Sequence, residues 1–192
     1  MKKWIRFLIV SLSFLFFGIA HATDTTYTID PNHSYVLWRI SHFDFSHPSG
    51  KWMVTDGKVT LNKEKPQDSK VNVVIHVNDL ITGLPELDKH LKEPLFFDVE
   101  KYPQATFVSD KVTVTGKNTA DVHGILTVRG VSKPIVLHVK LNKIGISPIT
   151  NKETVGFTAT TTLKRSDFGM TTLLPGLGDQ VQINIEAEAA KS

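Results

Sequence analysis

The sequence contains no cysteine among its 192 residues. This absence excludes disulfide cross-links, thiolate catalysis and cysteine-ligated metal sites. The sequence also has no G-x-S-x-G motif, so it lacks the nucleophile elbow of an α/β-hydrolase. A chain without cross-links must be held together by its core, and this one is long enough to form a single well-buried domain.

A basic excess is also missing once the N-terminus is set aside. The first 22 residues begin with basic side chains, continue with an apolar run and end in an A-x-A pattern, which predicts a cleaved secretory signal. The apolar run from residue 5 to residue 20 is shorter than the ~20 residues of a membrane-spanning helix, which disfavours an uncleaved anchor. The expected mature domain, residues 23–192, has 19 basic and 19 acidic residues and no Lys/Arg cluster. Nucleic acid is therefore not an expected partner.

Period-two alternation is the main pattern in the rest of the chain, and it predicts about eight strands. The clearest apolar faces are Val36, Trp38 and Ile40; Val71, Val73, Ile75 and Val77; Ile135, Leu137, Val139 and Leu141; Val155, Phe157, Ala159 and Leu163; and Val181, Ile183, Ile185 and Ala187. Further strands are predicted near 52–62, 104–115 and 119–129. Short Gly, Asn, Asp and Pro turns indicate antiparallel neighbours, arranged as a two-sheet sandwich or a closed barrel. One short helix is predicted near residues 85–92, beginning at a proline.

Residues that could carry chemistry are few. His33, His42 and His47 lie close together in sequence and could bind a metal with the help of an acidic side chain, although they form no paired ligand motif. A metal-assisted enzyme is therefore an alternative hypothesis. A second alternative is an adaptor with a filled core that binds a partner protein through its outer face.

Four stretches together resemble one known family. They are "IDPNHSYVLWRISH", "HLKEPLFFDVEKYPQATFVS", "GILTVRGVSKPIVL" and "LKRSDFGM", and they follow one another along nearly the whole mature chain. They are similar to the YceI-like polyisoprenoid-binding proteins. The resemblance implies an all-β fold, an eight-stranded antiparallel lipocalin-like barrel exported to the periplasm. It also implies a non-enzymatic binding protein that holds a polyprenyl or quinone-type lipid for transport, storage or sequestration, with no cofactor besides that lipid.

The resemblance and the alternation together suggest which side chains line the barrel. We expect the lumen to be lined by Val36, Trp38, Ile40, His42, Phe96, Phe97, Phe107, Leu126, Leu137, Phe157, Ala159, Phe168, Met170 and Ile183. An eight-stranded barrel can be filled by side chains or can hold one small ligand, and the resemblance favours the second. Phe96 and Phe97, which follow the predicted helix, would fold over an open barrel end or plug it.

The head of the lipid is expected to stay at the barrel mouth, because burying an unpaired charge is costly. Arg165, with Asp167 nearby, is the candidate for contact with that head; the alternative is that these two side chains form an ordinary surface pair. A homodimer and a transient contact with the membrane or with membrane proteins are left open as further partners. The chain length and the head of the lipid cannot be read from the sequence.

Overall fold

A computed structural model describes residues 24–54 and 56–192. These residues form ten strands and one α-helix, α1 (Pro85–Lys92), together with three short 3-10 turns. The strands are β1 (Thr25–Ile29), β2 (Tyr35–His42), β3 (Ser49–Met53), β4 (Asp56–Leu61), β5 (Lys70–His76), β6 (Gln104–Gly116), β7 (Thr119–Val128), β8 (Val131–Ile146), β9 (Glu153–Lys164) and β10 (Leu177–Lys191). The predicted signal, residues 1–22, lies outside the described residues.

The strands close into an antiparallel barrel with eight positions around its circumference. Six positions are taken by the single strands β5 to β10, in sequence order. Strand β10 pairs with β2 through residues 177–186 and with β1 through residues 189–191, so β1 and β2 are two halves of one position. Strands β3 and β4 pair with β2 and β1 in the same way and form the eighth position. The predicted eight-stranded antiparallel barrel is confirmed, and the β1–β10 pairing that closes it removes most of the unpaired edge that an open sheet would have.

The short helix is also confirmed, with Pro85 in its first turn, where a missing N–H costs nothing. The side chain of Asp88 fixes the segment that precedes the helix. Its Oδ1 accepts hydrogen bonds from the Thr82 backbone N–H at 2.7 Å and from the Thr82 hydroxyl at 2.6 Å. Within residues 24–54 and 56–192, no helix has the length and apolar content needed to cross a membrane.

The two ends of the barrel are built from different connections. The helix end consists of the β2–β3 turn (residues 43–48), the segment 77–103 with α1, the β7–β8 turn and the segment 165–176. The hairpin end consists of the connection 62–69, the β6–β7 turn and the β8–β9 turn. This asymmetry decides where a ligand could enter and where polar groups gather.

Candidate ligand-binding cavity

The barrel encloses a cavity with a volume of about 870 Å³. Its wall consists mainly of the inward apolar faces of the strands, and residues from both ends of the barrel contribute to it. Close-packed protein interiors contain few voids larger than a water molecule, so this interior is not a filled core. The filled core that the adaptor alternative assumed is therefore wrong. The volume lies in the upper part of the ~300–1,000 Å³ range of small-molecule sites.

All fourteen side chains predicted to face the lumen lie in the cavity wall. Strand β2 supplies Val36, Trp38, Ile40 and His42, and the strands from β6 to β10 supply Phe107, Leu126, Leu137, Phe157, Ala159 and Ile183. The helix end supplies Phe96, Phe97, Phe168 and Met170. That these residues contact a bound lipid stays a prediction.

The prediction missed further wall residues. They include Val112, Val114, Val122, Ile144, Thr161, Leu173 and Leu177. The pairing of β6 with β7 shifts between Ser109 and Lys111, and this shift changes which side chains of β6 face the lumen. Phe107 faces the lumen before the shift, and Val112 faces it after the shift. A similar shift in β8 between Leu141 and Lys143 brings Ile144 to the wall. β-Bulges of this kind change the phase of an alternation, and the period alone does not reveal where they occur.

The aromatic side chains at the helix end form a connected cover over the cavity. Phe97 contacts Trp52 edge to face, with ring centroids 5.1 Å apart, and the Trp52 indole donates a hydrogen bond to the Val77 carbonyl at 3.1 Å. Phe96 is buried, and its ring lies 4.9 Å from that of His90 in α1. Phe97 therefore anchors the segment after α1 to strand β3, and Phe96 packs against α1.

Arg165 is buried, with 5% of its surface exposed. Its guanidinium donates four hydrogen bonds of 2.7–2.8 Å to the backbone carbonyls of Met170, Thr172, Leu177 and Gly178. Because a guanidinium has five N–H groups, most of its donors are committed to holding the segment 170–178 in place. Burial lowers the pKa of Arg165, against the attraction of Asp179.

The alternative surface pair between Arg165 and Asp167 is wrong, because Arg165 is buried whereas Asp167 is exposed and lies outside the cavity wall. The carboxylate that acts on Arg165 is Asp179, which accepts hydrogen bonds from the Ser166 backbone N–H and hydroxyl, each at 2.9 Å. Burial opposes ionisation of Asp179, but these bonds and the nearby cations lower its pKa overall. The role of Arg165 and Asp167 at a lipid head stays a prediction.

The histidines proposed as a metal site are not brought together. His33 precedes β2 and bonds Asp30 through Nδ1 at 2.8 Å, whereas His42 ends β2 and lies beside Phe43. The strand between them is roughly 23 Å long at ~3.3 Å per residue, too far for a shared metal ion. Among the described residues no three His, Asp or Glu side chains form a group that could hold a metal. The three-histidine site is therefore wrong.

Polar side chains line the cavity at the hairpin end, which the sequence patterns did not predict. Asn62, Lys63, Ser69, Lys70, Lys117, Asn118 and Thr119 contribute to the wall there. Lys63 donates to Glu153 Oε1 at 2.9 Å, and the buried Tyr27 donates to the same oxygen at 2.7 Å. The cavity therefore runs from an apolar end to a polar one.

Comparison with known proteins agrees with this architecture. The YceI-like domain matches residues 27–189. The chain belongs to the YceI-like family. Its relatives include a UPF0312 protein of Pseudomonas putida (strain GB-1), which is 38% identical over 192 residues, covering 100% of this chain and 98% of the relative. The family is therefore shown over essentially the whole barrel.

Solved structures share the fold at lower identity. BcnA of Burkholderia cenocepacia superimposes with a TM-score of 0.76 at 24% identity, covering 84% of this chain and 99% of BcnA. A domain from Saccharophagus degradans, described as polyisoprenoid binding and implicated in plant cell wall breakdown, gives a TM-score of 0.67 at 14% identity, covering 88% of this chain and 99% of the domain. At these identities the likeness concerns the YceI-like barrel itself.

Proposed function

We propose that this YceI-like protein is a periplasmic binding protein that holds a long isoprenoid chain, of the polyprenyl or quinone type, in the barrel lumen. The observation that carries the proposal is the predominantly apolar wall of the ~870 Å³ cavity. Such a cavity is suited to a flexible hydrocarbon chain, which needs volume and apolar contact more than directed hydrogen bonds. The Saccharophagus degradans domain has the same fold and is described as polyisoprenoid binding, which supports the same class of ligand.

Hydrophobic burial can supply the affinity. Each buried CH₂ group contributes ~0.8 kcal/mol, so ten prenyl carbons contribute roughly 8 kcal/mol before ordering costs are subtracted. Chain length can thus replace specific recognition. A charged head would remain in water at a barrel end, because burying an unpaired charge in the apolar part of the cavity is costly.

Binding, not catalysis, is the proposed activity. The polar side chains in the apolar part of the wall, such as His42, Thr161 and Arg165, are separated along different strands and turns. Arg165 is committed to backbone carbonyls. The bound chain would therefore be carried, stored or sequestered unchanged, with no further cofactor.

Mass spectrometry of organic extracts tests the proposal directly. The protein would be purified without detergent from the periplasmic fraction of cells that export it, and its extract compared with that of an exported protein of similar size that lacks a cavity. We expect a prenyl lipid in near-stoichiometric amount in the first extract only. Repeated extracts without prenyl lipid, together with no uptake of added prenyl alcohol, would sink the proposal.

A further inference from the structure

Large apolar side chains are exposed at the helix end of the barrel. They are Phe43, Phe45, Ile81, Leu84, Leu95 and Leu173. Phe45 is 91% exposed at the tip of the β2–β3 turn, and Leu95 and Leu173 are each 57% exposed. Single exposed apolar residues are ordinary, but several around one opening indicate an interaction site.

Hydrogen bonds connect the segments that carry these side chains. The Phe43 N–H donates to the Gly176 carbonyl at 2.8 Å, which joins the β2–β3 turn to the segment 171–176. The Thr172 hydroxyl donates to the Leu95 carbonyl at 3.1 Å, which joins that segment to the residues after α1. Phe43, Phe45, Leu95 and Leu173 therefore belong to one surface, the apolar rim.

The apolar rim continues into the lumen. Leu173 is exposed on the rim and also contributes to the cavity wall. The rim residue Phe43 directly follows the wall residue His42, and the rim residue Leu95 directly precedes the wall residue Phe96. An apolar chain that enters beside Leu173 would keep apolar contact with this side chain as it passes from the outer surface to the lumen.

We propose that the apolar rim inserts into the interfacial layer of a lipid bilayer, so that a prenyl chain passes from the membrane directly into the barrel. This proposal rests on the proposed function, since a bilayer is where a water-insoluble ligand resides. Phe45 projects from a turn as a single side chain, which suits insertion among lipids better than packing against a flat protein surface. At the hairpin end the cavity wall carries lysines and amides instead, so the helix end is the one that would face the bilayer.

The charges around the rim indicate which lipids it would accept. Asp44 lies between the two phenylalanines of the turn. Lys92 and Glu93 precede Leu95 at the end of α1, and Arg129 donates to the Pro94 carbonyl at 3.2 Å. Both signs are present within the same surface. Insertion should therefore be driven by apolar burial, and should occur on zwitterionic lipid with little dependence on salt.

Flotation with phosphatidylcholine vesicles tests the docking. The chain from residue 23 onward, freed of lipid, would be compared with the double variant Phe45→Ser/Leu95→Ser, since neither side chain lines the cavity. The matched control is Ile149→Ser, because Ile149 is 85% exposed at the opposite, hairpin end. We expect the double variant to partition roughly tenfold or more weaker than the parent, at low and high salt, and Ile149→Ser to behave like the parent.

A second measurement separates docking from ligand binding. Each protein would be given a prenyl alcohol either dispersed in buffer or dissolved in the vesicles. The double variant should take up the dispersed chain normally and lose uptake from vesicles. A parent protein that takes up dispersed chain but does not float overturns the docking and leaves the proposed function intact, whereas no uptake by either route overturns the proposed function. A double variant that changes a dimer to a monomer without changing flotation shows that the rim joins two copies, which also overturns the docking.

Discussion

The ring of Phe97 stands edge-on to that of Trp52, with centroids 5.1 Å apart and planes at 87°. This contact ties the segment after α1 to strand β3 across the helix end of the barrel. Two further tethers hold the same segment, from Thr172 to the Leu95 carbonyl and from Arg129 to the Pro94 carbonyl. The segment is thus tied to strand β3, to the segment 165–176 and to the β7–β8 turn at the helix end of the cavity.

Phe97→Ala should loosen this cover. Because Phe97 is only half-buried, we expect a loss of about 1–3 kcal/mol in the free energy of unfolding, less than for a fully buried ring. Exchange of a bound prenyl chain should accelerate at the same time. Urea denaturation and displacement of a fluorescent prenyl analogue would measure the two effects. Val108→Ala, at an exposed position of β6, is the control, and equal exchange rates in both variants would contradict a role of Phe97 in closure.

Arg165→Lys should destabilise the protein although it keeps the charge. An ammonium group cannot reproduce the planar fork that reaches four carbonyls, and each buried carbonyl left without a donor costs ~1–3 kcal/mol. We expect a total loss of about 2–4 kcal/mol in urea denaturation, against no measurable loss for Arg39→Lys at an exposed position of β2.

The same variant tests whether Arg165 also binds a lipid head. Affinities for a prenyl phosphate and a prenyl alcohol of equal length should change by the same factor if Arg165 only holds the segment 170–178. A selective loss for the phosphate would show instead that the remaining guanidinium N–H reaches the head.

Acid should weaken the hairpin end through Glu153. Hydrogen bonds from Tyr27 and then Lys63 lower the pKa of Glu153 below its ordinary value of 4.5. A carboxylate whose pKa is lowered in the folded state stabilises the fold fully at a pH above its unfolded-state pKa. This stabilisation is lost as the pH falls through the folded-state pKa. Glu153→Gln should therefore be less stable than the parent at neutral pH, with the difference shrinking below about pH 4.5. Urea midpoints across that range would show it, and a constant difference would contradict it.

The strand pattern was predictable because one face of every long strand is apolar and the other is polar. Strand β10 is an example, since Ile183 and Ile185 face the lumen and Asn184 lies between them on the outer face. Strand β1 was missed because the alternation in its stretch "TTYTI" extends over only four residues, and its stability comes from pairing with β4 and β10. Long-range pairing of this kind leaves no local signal.

The candidate site likewise contains some residues whose positions the sequence predicts and others whose positions it does not. Alternation and the family resemblance place side chains such as Phe157 on the cavity wall, but the environment of Arg165 depends on the path of the segment 170–178, which no periodicity describes. The polar lining at the hairpin end comes from turn residues such as Lys117, and turns have no inward or outward phase in sequence. The predicted three-histidine metal site was wrong because residues that are close in sequence can lie far apart in space along an extended strand.

Ala159→Trp tests whether the lumen is the site of the lipid. Ala159 lies on the cavity wall of β9, between Val139 of β8 and Ile185 of β10, so an indole at this position would extend into open volume. In a filled interior the same change would cost ~1–3 kcal/mol through overpacking. Here we expect little change in the stability of the lipid-free protein, a large fall in prenyl uptake, and a lower melting temperature than the parent only when lipid is present, since a ligand that binds the folded state raises its stability.

The matched control is Thr160→Trp, because Thr160 is the next residue along β9 and is exposed on the outer face. Both variants add an indole to the same strand, so any general effect of the bulky side chain on β9 appears in both. Lipid must be removed from both variants before their stabilities are compared, because unequal lipid occupancy would change the measured stability in the same way as strain. Normal uptake by Ala159→Trp would show that the chain does not occupy this part of the lumen, and a loss of uptake by Thr160→Trp alone would place the lipid on the outer face of the barrel.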